Sequence, residues 1–222
     1  MSERFYCDLS LSSETVTLRG PEAHHLASVM RASVGDCVVL FDGSGTECEA
    51  SIVQISKREA ELRIENRREV NREPNNDLTL AVALPKGDRQ KWLIEKAVEL
   101  GVAKLVPLLT ERSVVKLKES GIERLRRAVI EASKQCGRNR LMAIEPPQAF
   151  SGFVQSASPD AVRLIAHPSA TPDENVAACV KNHQDATSWI AAIGPEGVFA
   201  DEELQHALDA GWKALSLGPR IL

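Results

Sequence analysis

Aromatic side chains are scarce in this sequence: three Trp, one Tyr and five Phe make up 4% of 222 residues. Rings that few cannot stack many unpaired bases, which argues against a protein that threads free single strands. Apolar runs are short as well, none near the roughly 18 residues that cross a bilayer, so no membrane partner is expected. No Gly-x-x-x-x-Gly-Lys-Ser/Thr run occurs, and Gly43-Ser44-Gly45 lacks the third glycine and following helix of a dinucleotide fingerprint. A P-loop NTPase and an ordinary Rossmann dehydrogenase are disfavoured. The five cysteines (Cys7, Cys37, Cys48, Cys136, Cys179) are scattered without a Cys-x-x-Cys pair, which predicts reduced thiols. The five histidines have no metal-ligand spacing, and His24-His25 face different ways on a predicted helix, so no metal is expected. The opening Met-Ser-Glu-Arg-Phe-Tyr has no secretory apolar region, and the expected location is the cytoplasm.

What is present is globular: 43% hydrophobic and 26% charged residues, enough for one large domain or two smaller ones. The net charge of -4 is unevenly spread. Residues 86–140 hold fourteen Lys/Arg against seven Asp/Glu, whereas residues 141–222 hold four against ten. An acidic chain of this kind can still offer a basic surface to an anionic partner, although such charges also simply solvate helix faces.

Residues 1–72 alternate short β-rich runs (15–18, 37–41, 50–55, 60–64) with turns, and Asp42-Gly43-Ser44-Gly45 reads as a hairpin. One helical run, 21–31, interrupts them, with Leu26, Val29 and Met30 able to share a face, which predicts a small β-barrel crossed by one helix. The polar stretch Asn66–Asp77 reads as the linker. Beyond it the pattern changes. Apolar strands at 78–84, 104–109, 162–167, 189–193 and 213–217 alternate with helices at 88–100, 118–136, 172–180 and 201–210. Strands apolar on both faces and separated by helices predict an α/β domain with a parallel sheet.

The most informative run is Ile190–Phe199 followed by Ala200-Asp201-Glu202-Glu203-Leu204: a buried strand, a glycine-proline turn and an acid-led helix. Gly194 and Gly197 permit close approach, and Pro195 fixes a torsion between them. A second turn, Leu217-Gly218-Pro219-Arg220, follows about one β-α unit later. Two such turns at strand ends can build one pocket, or can only reverse the chain.

Six stretches in order then match one family. They are His25-Leu26-Ala27-Ser28-Val29-Met30-Arg31 with Val34-Gly35-Asp36, Leu84-Pro85-Lys86-Gly87-Asp88, Glu95-Lys96-Ala97-Val98-Glu99-Leu100-Gly101, Glu131-Ala132-Ser133-Lys134-Gln135-Cys136-Gly137-Arg138, Ile193-Gly194-Pro195-Glu196-Gly197 and Leu217-Gly218-Pro219-Arg220-Ile221-Leu222. In these the chain resembles the bacterial 16S rRNA uridine-N3 methyltransferases, the RsmE type of the SPOUT superfamily. The resemblance implies a PUA-like RNA-binding β-barrel over 1–72 and a SPOUT methyltransferase domain with a trefoil knot over 73–222. It also implies a homodimer, S-adenosylmethionine (SAM) as methyl donor and 16S rRNA of the small ribosomal subunit, at the decoding region, as substrate. Family members continue past Arg220-Ile221-Leu222 into a final helix, so the second domain is expected to be incomplete at its C-terminal end.

By the same resemblance Ile193, Gly194, Pro195, Glu196 and Gly197, with Leu217, Gly218, Ile221 and Leu222, cradle the adenosyl group, and Ala166-His167-Pro168 close a third side. Glu196 reads equally as a carboxylate matched to a helix dipole, and His167 as a packing or capping residue. Arg138, at the end of a basic helix, is the catalytic candidate, because a guanidinium there can bind phosphate or stabilise an anionic uracil; the alternative is a helix C-cap. Arg4, Arg31, Lys86, Arg89 and Arg138 are the candidate RNA contacts, by phosphate pairing. A competing function is a non-catalytic RNA-binding module of ribosome assembly.

Overall fold

The computed structural model describes residues 3–115 and 117–218. It divides into two compact units, Met1–Glu73 with Ile130–Leu141, and Pro74–Val129 with Met142–Leu222. Among the described residues no helix is long and apolar enough to cross a membrane.

The first unit contains β1 (Arg4–Tyr6), β2 (Thr15–Arg19), α1 (Gly20–His24), β3 (Cys37–Phe41), β4 (Thr46–Ile55) and β5 (Glu59–Glu69). The sheet order is β1-β3-β4-β5-β2, with β1 parallel to β3 and the other pairs antiparallel. Val16, Leu18, Val38, Leu40, Ala50, Ile52, Ala60 and Leu62 alternate inward and form one core with Phe5 and Leu26. This is the period of two that a half-buried sheet requires. Register shifts at Glu49/Ala50 and Ile52/Gln54 mark β-bulges, which curl the sheet.

Three local expectations change. The predicted helix 21–31 is α-helical only to His24 and continues as a π-helical turn, His25–Val29. That winding separates the three apolar residues expected on one face: Leu26 is buried and Met30 half-buried, while Val29 is exposed. The expected linker Asn66–Asp77 is strand as far as Glu69, because β5 keeps pairing with β4, with Arg67 opposite Cys48 and Arg68 opposite Glu47. β1 escapes a sequence reading because three residues are too few to show alternation.

In the second unit β6 (Asp77–Val82), α2 (Arg89–Glu99), β7 (Lys104–Leu109) and α3 (Glu119–Cys136) come first; the residues of α3 from Ile130 onward belong to the first unit. Then follow β8 (Ala143–Ile144), β9 (Gln148–Ala149), α4 (Phe150–Ser156), β10 (Val162–Ala166), α5 (Val176–Asn182), β11 (Ser188–Ile193), α6 (Asp201–Asp209) and β12 (Lys213–Leu215). The sheet runs β12-β10-β11-β6-β7-β8, with β9 also on β7, and every pairing is parallel. Helices cover it, and Val106, Leu108, Phe150, Phe153, Ile165, Ile190, Ala192, Phe199 and Trp212 fill its core. The helix expected over 172–180 starts only at Val176, where the Asn175 side chain accepts the Ala178 N–H at 2.9 Å.

The strand order sets where a ligand can enter. β6 feeds α2 and β7 on one side, whereas β11 feeds α6 and then β12 on the other side. Neighbouring strands β11 and β6 thus send the chain in opposite directions, and it is beyond the carboxyl ends of strands at such a switch point that open α/β sheets bind their ligands.

Candidate functional site

The carboxyl ends of β12, β10 and β11 lie in one line. Ala166 is the register partner of both Ile193 and Leu215, so the segments that leave these strands start side by side. Those segments are His167-Pro168, Gly194-Pro195-Glu196-Gly197 and Ser216-Leu217-Gly218. The fourth, Ala83–Asp88 after β6, adjoins them, since the Ala83 N–H donates to the Ile193 carbonyl at 3.0 Å. The structure therefore brings together Ala166, His167, Pro168, Ile193, Gly194, Pro195, Glu196, Gly197, Leu217 and Gly218. Ile221 and Leu222 lie outside the described residues.

The local chemistry of this edge is mostly backbone. A Cβ on Gly194 would meet the Phe199 ring and the Phe199 backbone nitrogen at 3.1 Å, so only glycine fits without displacing a fully buried ring. The N–H groups of Glu196 and Gly197 donate to no backbone carbonyl among the described residues, and Leu217 is 47% exposed. His167 accepts the Ser169 N–H at Nδ1, at 3.2 Å, which puts its proton on Nε2. That Nε2 is buried and has no partner among the described residues. An unused donor, bare amides and a half-exposed leucine on adjoining post-strand segments are groups that a flat heteroaromatic ligand with a few acceptor atoms can use. Glu196 is exposed, and the carboxylate that serves α6 is Glu203, whose Oε2 accepts the Ala200 N–H at 3.0 Å. Ala200 has no side-chain oxygen to reciprocate, so this is half of a capping box.

The candidate cations divide into two kinds. Arg31, Lys86 and Arg89 are exposed. Arg4 and Arg138 belong to a buried charge network of the first unit. Glu47, 3% exposed, receives Arg4 Nη1 at 2.9 Å, Arg72 Nη1 at 3.1 Å and Asn139 Nδ2 at 3.1 Å, with Arg68 at 3.3 Å. Burial pushes this carboxyl upward, but the hydrogen bonds from Arg4, Arg72 and Asn139 and the Arg72 charge outweigh it. They hold its pKa at about 2, below the ordinary 4.5. Arg138, 5% exposed, donates to Glu73 from Nε at 3.0 Å and from Nη2 at 2.6 Å. Lys134 similarly pairs with Glu22 at 2.9 Å. Sequence reasoning missed Glu47 and Glu73, since nothing in a β-rich segment marks Glu47 as the buried glutamate among many, and nothing in the polar stretch after β5 marks half-buried Glu73 as a partner of a distant arginine.

The chain thus joins an all-parallel sheet with backbone-rich turns at its strand ends to a separate curled sheet, a two-part α/β architecture. Residues 71–222 match the family of RNA methyltransferase domains, and residues 18–65 match the RNA methyltransferase PUA domain. Over 209 residues the chain is 34% identical to ribosomal RNA small subunit methyltransferase E of Synechocystis sp., covering 94% of this chain and 68% of that protein. The ribosomal RNA small subunit methyltransferase E of Neisseria gonorrhoeae, solved bound to S-adenosyl methionine, superposes with a TM-score of 0.90 at 28% identity, over 100% of this chain and 91% of that one. A Legionella pneumophila protein solved with the bound cofactor SAM gives a TM-score of 0.90 at 32% identity and the same coverage. The chain belongs to the ribosomal RNA small subunit methyltransferase E family.

Proposed function

We propose that this protein is a SAM-dependent methyltransferase that methylates N3 of a uridine in 16S rRNA, in the decoding region of the small subunit. The observation that carries the reading is the convergence of three post-strand segments on Ala166, Ile193 and Leu215 in a chain of this family. SAM, when bound, supplies an electrophilic methyl group on sulfonium. The residues fit it. Ile193 and Leu217 offer apolar walls, Gly194 leaves room, and the amides of Glu196 and Gly197 with His167 Nε2 offer donors for adenine and ribose acceptors. Uridine N3 carries an imide proton that must leave before the nitrogen attacks, so the site has to favour the uracil anion or accept that proton.

Exposed Arg31, Lys86 and Arg89 suit phosphate contacts, which give affinity without reading sequence. Arg138 has the weaker case for contact with the reacting base, because a guanidinium held bidentately by Glu73 serves substrate only if that pair opens. The homodimer and trefoil knot implied by the resemblance belong to the same proposal. In its support, α5 buries none of its residues and exposes Val176 and Val180 one turn apart, a surface a second copy would cover.

The test is incubation of the purified protein with methyl-labelled SAM and small ribosomal subunits from a strain lacking the modification, followed by nucleoside analysis. Label in N3-methyluridine is expected. Absence of label together with absence of SAM binding would leave the RNA-binding assembly module as the better reading.

A further inference from the structure

Val198 lies at φ 54, in the left-handed region. A β-branched residue there is an outlier, and such backbone persists only where its surroundings over-determine it. The surroundings here are specific. The Val198 N–H closes a turn on the Pro195 carbonyl at 2.9 Å. Arg112 Nη1 donates to the Gly197 carbonyl at 2.8 Å. Glu203 accepts the Ala200 N–H with one oxygen, and with the other, at 2.9 Å, the Glu111 N–H.

Two of these grips come from the turn Thr110–Ser113, which follows β7. β7 does not adjoin β11, because β6 lies between them. With strands about 4.8 Å apart, the turn reaches roughly 10 Å across the end of β6 to hold a loop two strands away. It is stiff enough to do so. The Thr110 N–H donates to Ser113 Oγ at 2.8 Å, and the Ser113 N–H returns to the Thr110 carbonyl at 3.1 Å.

We propose that Arg112 and Glu203 are positioning residues that hold the 194–200 loop in its strained, pocket-forming shape, so that cofactor affinity depends on a turn belonging to another strand. This rests on the SAM reading above. Neither residue needs to touch the cofactor. A loop that relaxes when the grip is lost spends less time in the competent shape, and the apparent dissociation constant rises in inverse proportion to the competent fraction. Arg112 therefore affects KM for the cofactor more than kcat.

The experiment measures SAM binding by calorimetry, hydrogen exchange of the cofactor-free protein over 194–200, and thermal stability, for wild type, Arg112→Ala and Arg112→Lys. Arg112→Ala is expected to weaken SAM about tenfold and to speed exchange over 194–200 while the protein stays folded. Arg112→Lys should recover most of the affinity, because an ammonium can still donate one bond to the Gly197 carbonyl. Repeated in a Val198→Gly background, where glycine takes the positive φ without strain, the Arg112→Ala effect should shrink. Affinity within twofold of wild type together with unchanged exchange in Arg112→Ala would overturn the proposal. If wild type itself fails to bind SAM, the methyltransferase reading falls, and the exchange comparison alone decides whether the grip exists.

Discussion

The two units treat polar groups in opposite ways. In the first, Glu47 is buried and surrounded by Arg4, Arg68, Arg72 and Asn139, while Arg138 is matched by Glu73 and Lys134 by Glu22. In the second, the described residues at the ends of β10, β11 and β12 carry one charged side chain between them, Glu196, and among the described residues the Glu196 and Gly197 amides and His167 Nε2 have no partner. Charge that is answered inside a fold makes scaffold, because most of its hydrogen-bonding capacity is spent; here Arg4 Nε alone of that network is buried without a partner among the described residues. Backbone left unanswered at a sheet edge is what a ligand can use. The basic stretch 86–140 pairs its charges differently, in half-exposed contacts on the second unit: Lys96 with Glu99, Arg126 with Glu123, and Lys104 with Glu145, the kind of surface pair that adds little stability.

That contrast can be broken most sharply at Gly194. Gly194→Val is expected to weaken SAM binding by about 100-fold or more, because its side chain must displace Phe199 or fill the pocket. Titration calorimetry reads this directly, and near-normal affinity would remove the strand-end cradle from the argument.

The scaffold side is tested at Glu47. Its folded pKa is depressed, so its contribution is complete above the ordinary value of 4.5 and is lost as pH falls through about 2. A shift of that size in a side chain 4% exposed corresponds to about 3 kcal/mol. Glu47→Gln should accordingly lower unfolding free energy by about 3 kcal/mol at pH 7, with the gap to wild type closing towards pH 2. Urea titrations of both proteins across that range check the sign; a gap that widens on acidification would contradict the assignment.

Arg138 sharpens the comparison by testing where scaffold ends and chemistry begins. Arg138→Lys loses the bidentate pair with Glu73, and about 1–2 kcal/mol of stability should go with it. If the residue is purely scaffold, kcat of the folded variant stays within about threefold of wild type. A fall of kcat by orders of magnitude at unchanged melting temperature would instead place Arg138 at the reacting base.

The smallest effects belong to the exposed cations. Lys86→Ala and Arg89→Ala should each weaken RNA binding a few-fold and reduce the slope of log K against log salt by about 1. Stability should stay within about 0.5 kcal/mol, as for other surface substitutions.

Much of this was legible from residue order. The parallel α/β half follows from apolar strands alternating with helices, and the curled half from runs such as Cys37–Phe41 and Ala60–Ile64. The strand-end turn at Gly194–Gly197 was visible because glycine and proline carry their backbone preferences with them. Less visible were α4, whose seven residues hold barely two helical turns, and the π-helical turn at His25–Val29, which shares its residue types with an ordinary helix.

What the sequence by itself determined are the properties carried by local pattern: the class of each half, the family motifs and the places where backbone turns. Tertiary structure alone decided which charges are spent and which remain available. Glu47 and Arg4 are forty-three positions apart, Glu73 and Arg138 sixty-five, and Arg112 and Gly197 eighty-five. No periodicity or spacing rule connects such residues. Their meeting is set by strand order and register, and with it which arginines clamp the fold, which hold a strained loop and which face solvent.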